Sequence, residues 1–210
     1  MILHDDDTIP DIEQSVYIVE DDEVIRNILR KILEQENIPV KTYASAEQFL
    51  LEYSAANAGC LLLDIKMPGM NGLELHRVVT ALGNSSPVIF LTGVADVGIA
   101  VDALKAGAMD LLEKPFDRET VLDRIQKAMA WDLEARLNQL ETEDIKQRIA
   151  RLTPREREVM DGVVQGLANK SIARNLGISS RTVEVHRKNI IEKMRADSLA
   201  DLVRMTIAAK

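Results

Sequence analysis

Along the first part of the chain, short unbroken apolar runs alternate with longer stretches whose apolar residues return at helical spacing. Val16 to Val19 is apolar and β-branched, and Val24 to Gln35 repeats its apolar residues with the helical period. Pro39 to Tyr43 is extended, and Ala46 to Ala55 is helical again. Then follow Cys60 to Leu63, a helix from about Gly72 to Leu82, Val88 to Leu91, a helix near Val97 to Ala106, Met109 to Leu112, and a last helix from Arg118. Five strands interleaved with five helices predict a parallel sheet covered on both faces. The unbroken apolar character of CLLL and VIFL fits strands buried on both sides.

Each of four runs ends in residues that phosphoryl chemistry needs: Glu20 and Asp21 after SVYIV, Asp64 after CLLL, Thr92 after VIFL and Lys114 after MDLLE. In open parallel sheets, ligands sit outside the carboxyl ends of the strands, where the strand order switches, and all these positions fall on that edge. Paired acids beside a third carboxylate cannot all stay ionised in a small cleft without a cation among them. A hard divalent ion is implied, and Mg²⁺ suits one or two carboxylates together with a phosphate and waters. Asp64 is then the candidate nucleophile, because a carboxylate can take a phosphoryl group as an acyl phosphate. Thr92 and Lys114 would bind the phosphoryl oxygens, one by a hydroxyl hydrogen bond and one as a point charge. Taken singly, a strand-end Asp or Thr more often caps the next helix and a Lys is usually on the surface; it is the combination that points to a site.

Charge divides the chain of 210 residues. Through Trp131 there are 11 Lys and Arg against 22 Asp and Glu, whereas residues 151–210 carry 12 against 7. A small basic carboxyl-terminal domain on a chain of net charge −8 places any contact with a polyanion at that end. Thr153, Pro154 and Glu156 read as an N-cap, a first-turn proline and the acid of a capping box, opening a helix to about Gly166. Asn169 or Lys170 starts a short helix stopped by Gly177, and Ser179 or Ser180 caps the next, RTVEVHRKNIIEKM. Two helices joined by a short turn containing Gly predict a helix-turn-helix. With Val183, Ile190, Ile191 and Met194 toward a core, Glu184, Arg187, Lys188 and Lys193 turn outward or partly so. A plain amphipathic bundle helix has the same pattern.

The motifs VEDD at 19–22, DIKMPGMNG at 64–72, LTG at 91–93 and KAGAMDLLEKPF at 105–116 make residues 15 to about 128 resemble the receiver domain of two-component response regulators. Residues 152–194 resemble the LuxR-type domain of the NarL/FixJ class, and the whole chain is most similar to the FixJ subgroup. The fold this implies is an α/β flavodoxin-like (βα)5 receiver joined by a long helix to an all-α, four-helix LuxR-type helix-turn-helix domain. The resemblance makes Asp64 the phosphoacceptor, Glu20, Asp21 and Asp64 with the Lys66 backbone carbonyl the Mg²⁺ shell, Thr92 the switch hydroxyl and Lys114 the companion lysine, followed by a cis peptide to Pro115. Two departures stand out: Glu20 where Asp is more usual, and Leu111 where receivers often carry a Tyr or Phe. Gly93 either leaves room for a phosphodonor or makes a tight turn. In the second domain, Glu184, Val185 and Lys188 are candidates for base edges, and Lys170, Arg181, Thr182, Arg187 and Asn189 for phosphate. The final helix, Ser198 to Ile207, would join two domains as a dimer.

The expected organisation is a disordered acidic arm over 1–14, a receiver over 15–131, a helical linker over 132–151 and a DNA-binding domain over 152–210. In the linker, Leu133, Leu137, Leu140, Ile145, Ile149 and Leu152 make an imperfect apolar stripe without sustained heptads, which favours a stiff connector packed on one of its own domains over a coiled coil. Cys60 reads as a structural thiol, and His4, His76 and His186 lack metal-site spacing. Without a signal peptide or apolar span, a cytoplasmic protein with no membrane contact is expected. The partners implied are a sensor histidine kinase, double-stranded promoter DNA, RNA polymerase and, on phosphorylation, a second copy through the helix near Val97 to Ala106 and the fifth strand. Two rival readings stay open: a constitutive DNA-binding regulator whose receiver is a scaffold, and a phosphohydrolase using Asp64, disfavoured because Lys66 stands where a general acid would be needed. Beyond slow self-dephosphorylation, the resemblance implies no enzyme.

Overall fold

The computed structural model describes residues 12–93, 103–105 and 107–209, which divide into two compact units, 1–135 and 136–210. In the first, β1 (Gln14–Val19), β2 (Val40–Tyr43), β3 (Ala58–Asp64), β4 (Val88–Gly93) and β5 (Asp110–Lys114) form one parallel sheet in the order β2-β1-β3-β4-β5. The period of two in each strand sends alternate side chains to two cores. Tyr17, Val19, Leu61, Leu63 and Phe90 pack with Phe49 of α2 (Ala46–Glu52) and with Leu75 and Val79 of α3 (Gly72–Ala81). Val16, Ile18, Cys60, Leu62, Ile89 and Leu91 pack with Leu29 and Leu33 of α1 (Glu23–Gln35) and with Val121, Ile125 and Ala128 of α4 (Arg118–Ala150). Each fully buried Leu, Ile or Phe contributes about 1.5–3 kcal/mol, so both faces are held as the unbroken strand runs require.

The predicted elements are present with shifted ends. α2 stops at Glu52 because Tyr53 adopts extended φ and ψ of −67° and 137°, and β3 begins two residues before the predicted run and ends at Asp64. The expected helix near Val97 to Ala106 lies outside the described residues except for 103–105, which are helical. The predicted arm over 1–14 lies mostly outside them too. Cys60 is fully buried, and burial pushes its thiol pKa up.

One buried carboxylate was not anticipated. Asp132, 1 % exposed on α4, accepts hydrogen bonds from the Gly59 amide at 2.7 Å and from Gln14 Nε2 at 3.0 Å. Gln14 Nε2 also donates to the Met129 carbonyl at 2.9 Å, tying α4 to the amino edge of the sheet. Gly59 is required here: its φ is +121°, and a Cβ would stand 2.0 Å from the Ser15 carbonyl oxygen.

In the second unit, α5 (Pro154–Val164), α6 (Asn169–Leu176), α7 (Ser180–Met194) and α8 (Leu199–Ala208) surround a core of Val159, Met160, Ile172, Val183, Ile190, Met194 and Leu202. Ile145 and Leu152 are buried in it and Ile149 packs against it, as a connector packed on one of its own domains requires, while Leu133 and Leu140 are exposed. The Thr153 and Glu156 capping box is formed, with Pro154 in the first turn. Gly177 stops α6 in the left-handed conformation at φ 67°, and Ser179 caps α7 by accepting the Thr182 amide at 3.0 Å. Among the described residues, no helix is long and apolar enough to cross a membrane.

Candidate functional site

The sheet order reverses direction between β1 and β3, and their register pairs Val19 with Leu63. Glu20, the residue after β1, therefore emerges beside Asp64, the last residue of β3, in the crevice where open α/β sheets bind ligands. Glu20 is 1 % and Asp64 6 % exposed, while Asp21 is exposed. One carboxylate oxygen from each of Glu20, Asp21 and Asp64 lies within 4.8 Å of the others. The third acid of the run is used differently: Asp22 caps α1, accepting the Val24 amide at 2.7 Å and the Ile25 amide at 3.2 Å.

Lys114, at the end of β5, reaches past β4 into this crevice. Its Nζ donates to Asp64 Oδ1 at 3.0 Å and stands 2.7 Å from Glu20 Oε2. The second contact has ion-pair distance without hydrogen-bond geometry, so the buried Glu20 Oε2 has no directed donor. The peptide between Lys114 and Pro115 is cis, as the resemblance implies. Burial pushes the Glu20 carboxyl above its usual range; the Lys114 ammonium opposes that shift and the Asp64 charge adds to it. Asp64 is likewise raised by burial, against the pull of Lys114 and of a hydrogen bond from the Lys66 amide, with Asp21 adding to the rise. Burial alone would lower the Lys114 pKa, but the adjoining Glu20 and Asp64 carboxylates hold it above the usual value. Two of the three carboxylates, Glu20 and Asp64, thus share one ammonium. The negative excess and the undirected Glu20 oxygen suit a hard divalent cation.

Thr92 is buried on β4, one residue beyond the partner of Asp64 in the β3–β4 register, and its hydroxyl donates to the Gly93 carbonyl at 3.3 Å. The structure therefore gathers Glu20, Asp21, Asp64 and Lys114, with Thr92 on the neighbouring strand and engaged with the Gly93 carbonyl. Gly93 is the last residue of β4, paired with Lys114, so it lies in the strand rather than in a turn. Leu111 packs, partly buried, against the core that contains Phe90.

The loop after Asp64 is braced by residues that sequence reasoning passed over. Gly72 opens α3 so close to β3 that a Cβ would lie 2.1 Å from the Asp64 carbonyl oxygen. Asn71 and Glu74 form a capping box there, and Glu47 of α2 accepts the Met70 amide at 3.2 Å. An Asn three residues before a Glu was a readable signal, but nothing local marks Glu47.

On α7, Val183, Ile190 and Met194 are fully buried, as its periodicity predicts. Arg181, Glu184, Val185 and Lys188 are exposed, Val185 at 54 %. Thr182, Arg187 and Asn189 are partly buried, and Lys170 is exposed in the first turn of α6. Lys188 stands 3.8 Å from Glu192 one turn along the helix, and two further cations meet partners on other helices. Arg187 Nη1 donates to Asn169 Oδ1 at 2.7 Å, and Lys193 Nζ donates to both oxygens of the buried Glu156 at 2.9 and 2.7 Å. The Lys193 bond is the leading cause that holds the Glu156 carboxyl below its usual range.

Comparison with known proteins bears directly on both regions. Residues 16–126 match the response regulator receiver domain, and residues 150–206 match the bacterial regulatory proteins of the luxR family. The chain is 43 % identical over 196 residues to the transcriptional regulatory protein FixJ of Rhizobium meliloti (strain 1021), covering 93 % of this chain and 96 % of that protein. It is 45 % identical over 195 residues to the C4-dicarboxylate transport transcriptional regulatory protein DctR of Rhodobacter capsulatus, covering 91 % and 98 %. Among solved structures it is similar to the response regulator StyR, with a TM-score of 0.83 and 38 % identity over 93 % of this chain and 98 % of that one. Full-length FixJ from B. japonicum gives a TM-score of 0.59 and 39 % identity over 94 % and 97 %. Receiver domains of this family normally use Mg²⁺ at an acidic pocket, and the family consists of transcriptional regulators rather than classical enzymes. The chain belongs to the two-component response regulators that join a receiver to a luxR-type DNA-binding domain, as a FixJ-like transcription regulator.

Proposed function

We propose that Asp64 accepts a phosphoryl group from a sensor histidine kinase and that the acyl phosphate promotes dimerisation and binding of promoter DNA through residues 152–210. The observation that carries this reading is the convergence of Glu20, Asp21 and Asp64 within 4.8 Å with Lys114 Nζ 3.0 Å from Asp64. An Asp64 oxygen attacks the phosphorus of a phosphohistidine; the new P–O bond replaces the P–N bond, and the imidazole leaves with the electron pair. Glu20, Asp21, Asp64 and the Lys66 carbonyl would hold Mg²⁺, which supplies positive charge for the phosphoryl oxygens when bound. Lys114, already charged beside Asp64, exchanges part of its carboxylate contact for a phosphoryl oxygen. Thr92 leaves the Gly93 carbonyl to donate to another, and that rearrangement, next to β5, carries the signal outward. Leu111 has no aromatic ring to swing inward, so coupling rests on Thr92 and Lys114.

For the second unit, Glu184, Val185 and Lys188 fit base edges in a major groove and Lys170, Arg181, Thr182 and Asn189 fit phosphates. Residues 15–131 serve as the regulatory domain and 132–151 as the connector. The site of action is the cytoplasm, with RNA polymerase as the downstream partner. Incubation with acetyl phosphate and Mg²⁺, followed by mass mapping, should place a single phosphoryl adduct on the peptide containing Asp64. An adduct elsewhere, or none, overturns the assignment.

A further inference from the structure

By its own sequence, α6 is weakly held. It has eight residues, its N-cap Ala168 makes no side-chain hydrogen bond, and only Ile172 and Ala173 are buried. A helix of this length does not persist alone in water. Both of its ends are gripped by guanidinium groups from the flanking helices. Arg187 of α7 donates to the side chain of Asn169, the first residue, at 2.7 Å, and Arg155 of α5 donates to the carbonyl of Leu176, the last.

Arg187 is partly buried and lines a cavity together with Val163, Ile190, Ile191 and Leu199, while its fork is engaged at Asn169. A charge-assisted bond of this kind is directional and about twice as strong as a neutral one. Its neighbours Glu184, Val185 and Lys188 are exposed, and so is Lys170, next to Asn169. The charge of Arg187 is therefore engaged where the amino turn of α6 meets the helix that would read bases.

We infer that Arg187 is a positioning residue for DNA binding. Through Asn169 it fixes the first turn of α6, and with it Lys170, against α7, so that a phosphate contact at Lys170 and a base contact at Lys188 fall in one register. The inference rests on the DNA-binding reading above.

The test uses the full chain and the duplex that the wild-type chain selects from a random pool. Affinity is measured over a salt series for wild type, Arg187→Ala, Asn169→Ala and the double variant. Amide exchange across residues 168–176 is followed without DNA. Each single variant should weaken binding about tenfold, the double variant should be no weaker than either, and the salt slope should be unchanged. Exchange in the first turn of α6 should rise in all three. A salt slope reduced by about 0.9 in Arg187→Ala, with additive losses in the double variant, makes Arg187 a direct phosphate ligand and overturns the inference. Unchanged exchange overturns the clamp itself. A wild-type chain that selects no duplex overturns instead the DNA-binding reading, a result separable from the exchange measurement.

Discussion

The acidic cleft of the first unit and the basic face of the second are built in opposite ways. In the cleft, Glu20, Asp64 and Lys114 arrive from three strands and become mutual neighbours only because β1 and β3 pair and β5 lies two strands away. Glu20 and Asp64 are buried and Lys114 partly so, and their ionisation is linked: Lys114 opposes the burial-driven rise of both carboxyls, and both hold its ammonium charged. On α7 the candidates from Arg181 to Asn189 come from one stretch of helix, and several stand in solvent, where charges act almost independently and are screened by salt. The difference teaches that a substitution in the cleft should act as all or nothing, whereas one on the helix should act in degree.

The largest effect is expected at Asp64. Asp64→Asn keeps the shape of the side chain but loses the nucleophilic charge, so acetyl-phosphate labelling should vanish while the fold persists. Labelling at the wild-type level would exclude Asp64 as acceptor and dissolve the cleft as a cooperative site.

Next in size is Gly72→Ala. Its new Cβ would meet the Asp64 carbonyl oxygen at 2.1 Å, backbone that cannot swing aside, so unfolding of the receiver should become easier by about 3 kcal/mol. Denaturant titration decides it; a change below about 0.5 kcal/mol, the range of an ordinary surface substitution, would mean that α3 is not wedged against the acceptor.

A graded response is expected on α7. Lys188→Ala should relax preference at one base pair and reduce affinity there by about 1–3 kcal/mol, while Arg181→Ala weakens every sequence alike and flattens the salt slope by about 0.9. Binding to the selected site and its single-base variants separates the two behaviours, and their exchange would rotate the helix from its assigned face.

The smallest effect concerns acid stability of the second unit. Glu156 is held below its usual pKa chiefly by Lys193, so its contribution is complete above the unfolded carboxylate value near 4.5 and is lost as pH falls through the folded one. Glu156→Gln should flatten the fall in melting temperature below about pH 4.5. An unchanged pH profile would remove this internal ion pair from the account.

Legibility followed the same division. Strand ends could be read because buried parallel strands are continuous apolar runs, and the residue types after them were themselves the signal. The carboxylate-to-lysine contacts needed the sheet order, which no local pattern contains. On α7 the buried positions followed from periodicity, and Ser179, Gly177 and the Thr153 box were readable punctuation. What periodicity could not supply was the partner of each cation: Arg187 and Lys193 meet Asn169 and Glu156, 18 and 37 residues away. Asp132 escaped notice for the same reason, since its partners Gly59 and Gln14 are 73 and 118 residues distant.

The central claim is that charge placed at Asp64 controls DNA binding by the other unit, and its most direct measurement is the affinity of the full chain for its selected duplex with and without beryllofluoride and Mg²⁺, in wild type and Asp64→Asn. The account predicts a gain of at least about tenfold in wild type, with dimer formation, because two half-sites are then gripped together, and no gain in Asp64→Asn. Equal affinity of the wild-type chain in both conditions would contradict it and leave the receiver as a scaffold for a constitutive regulator.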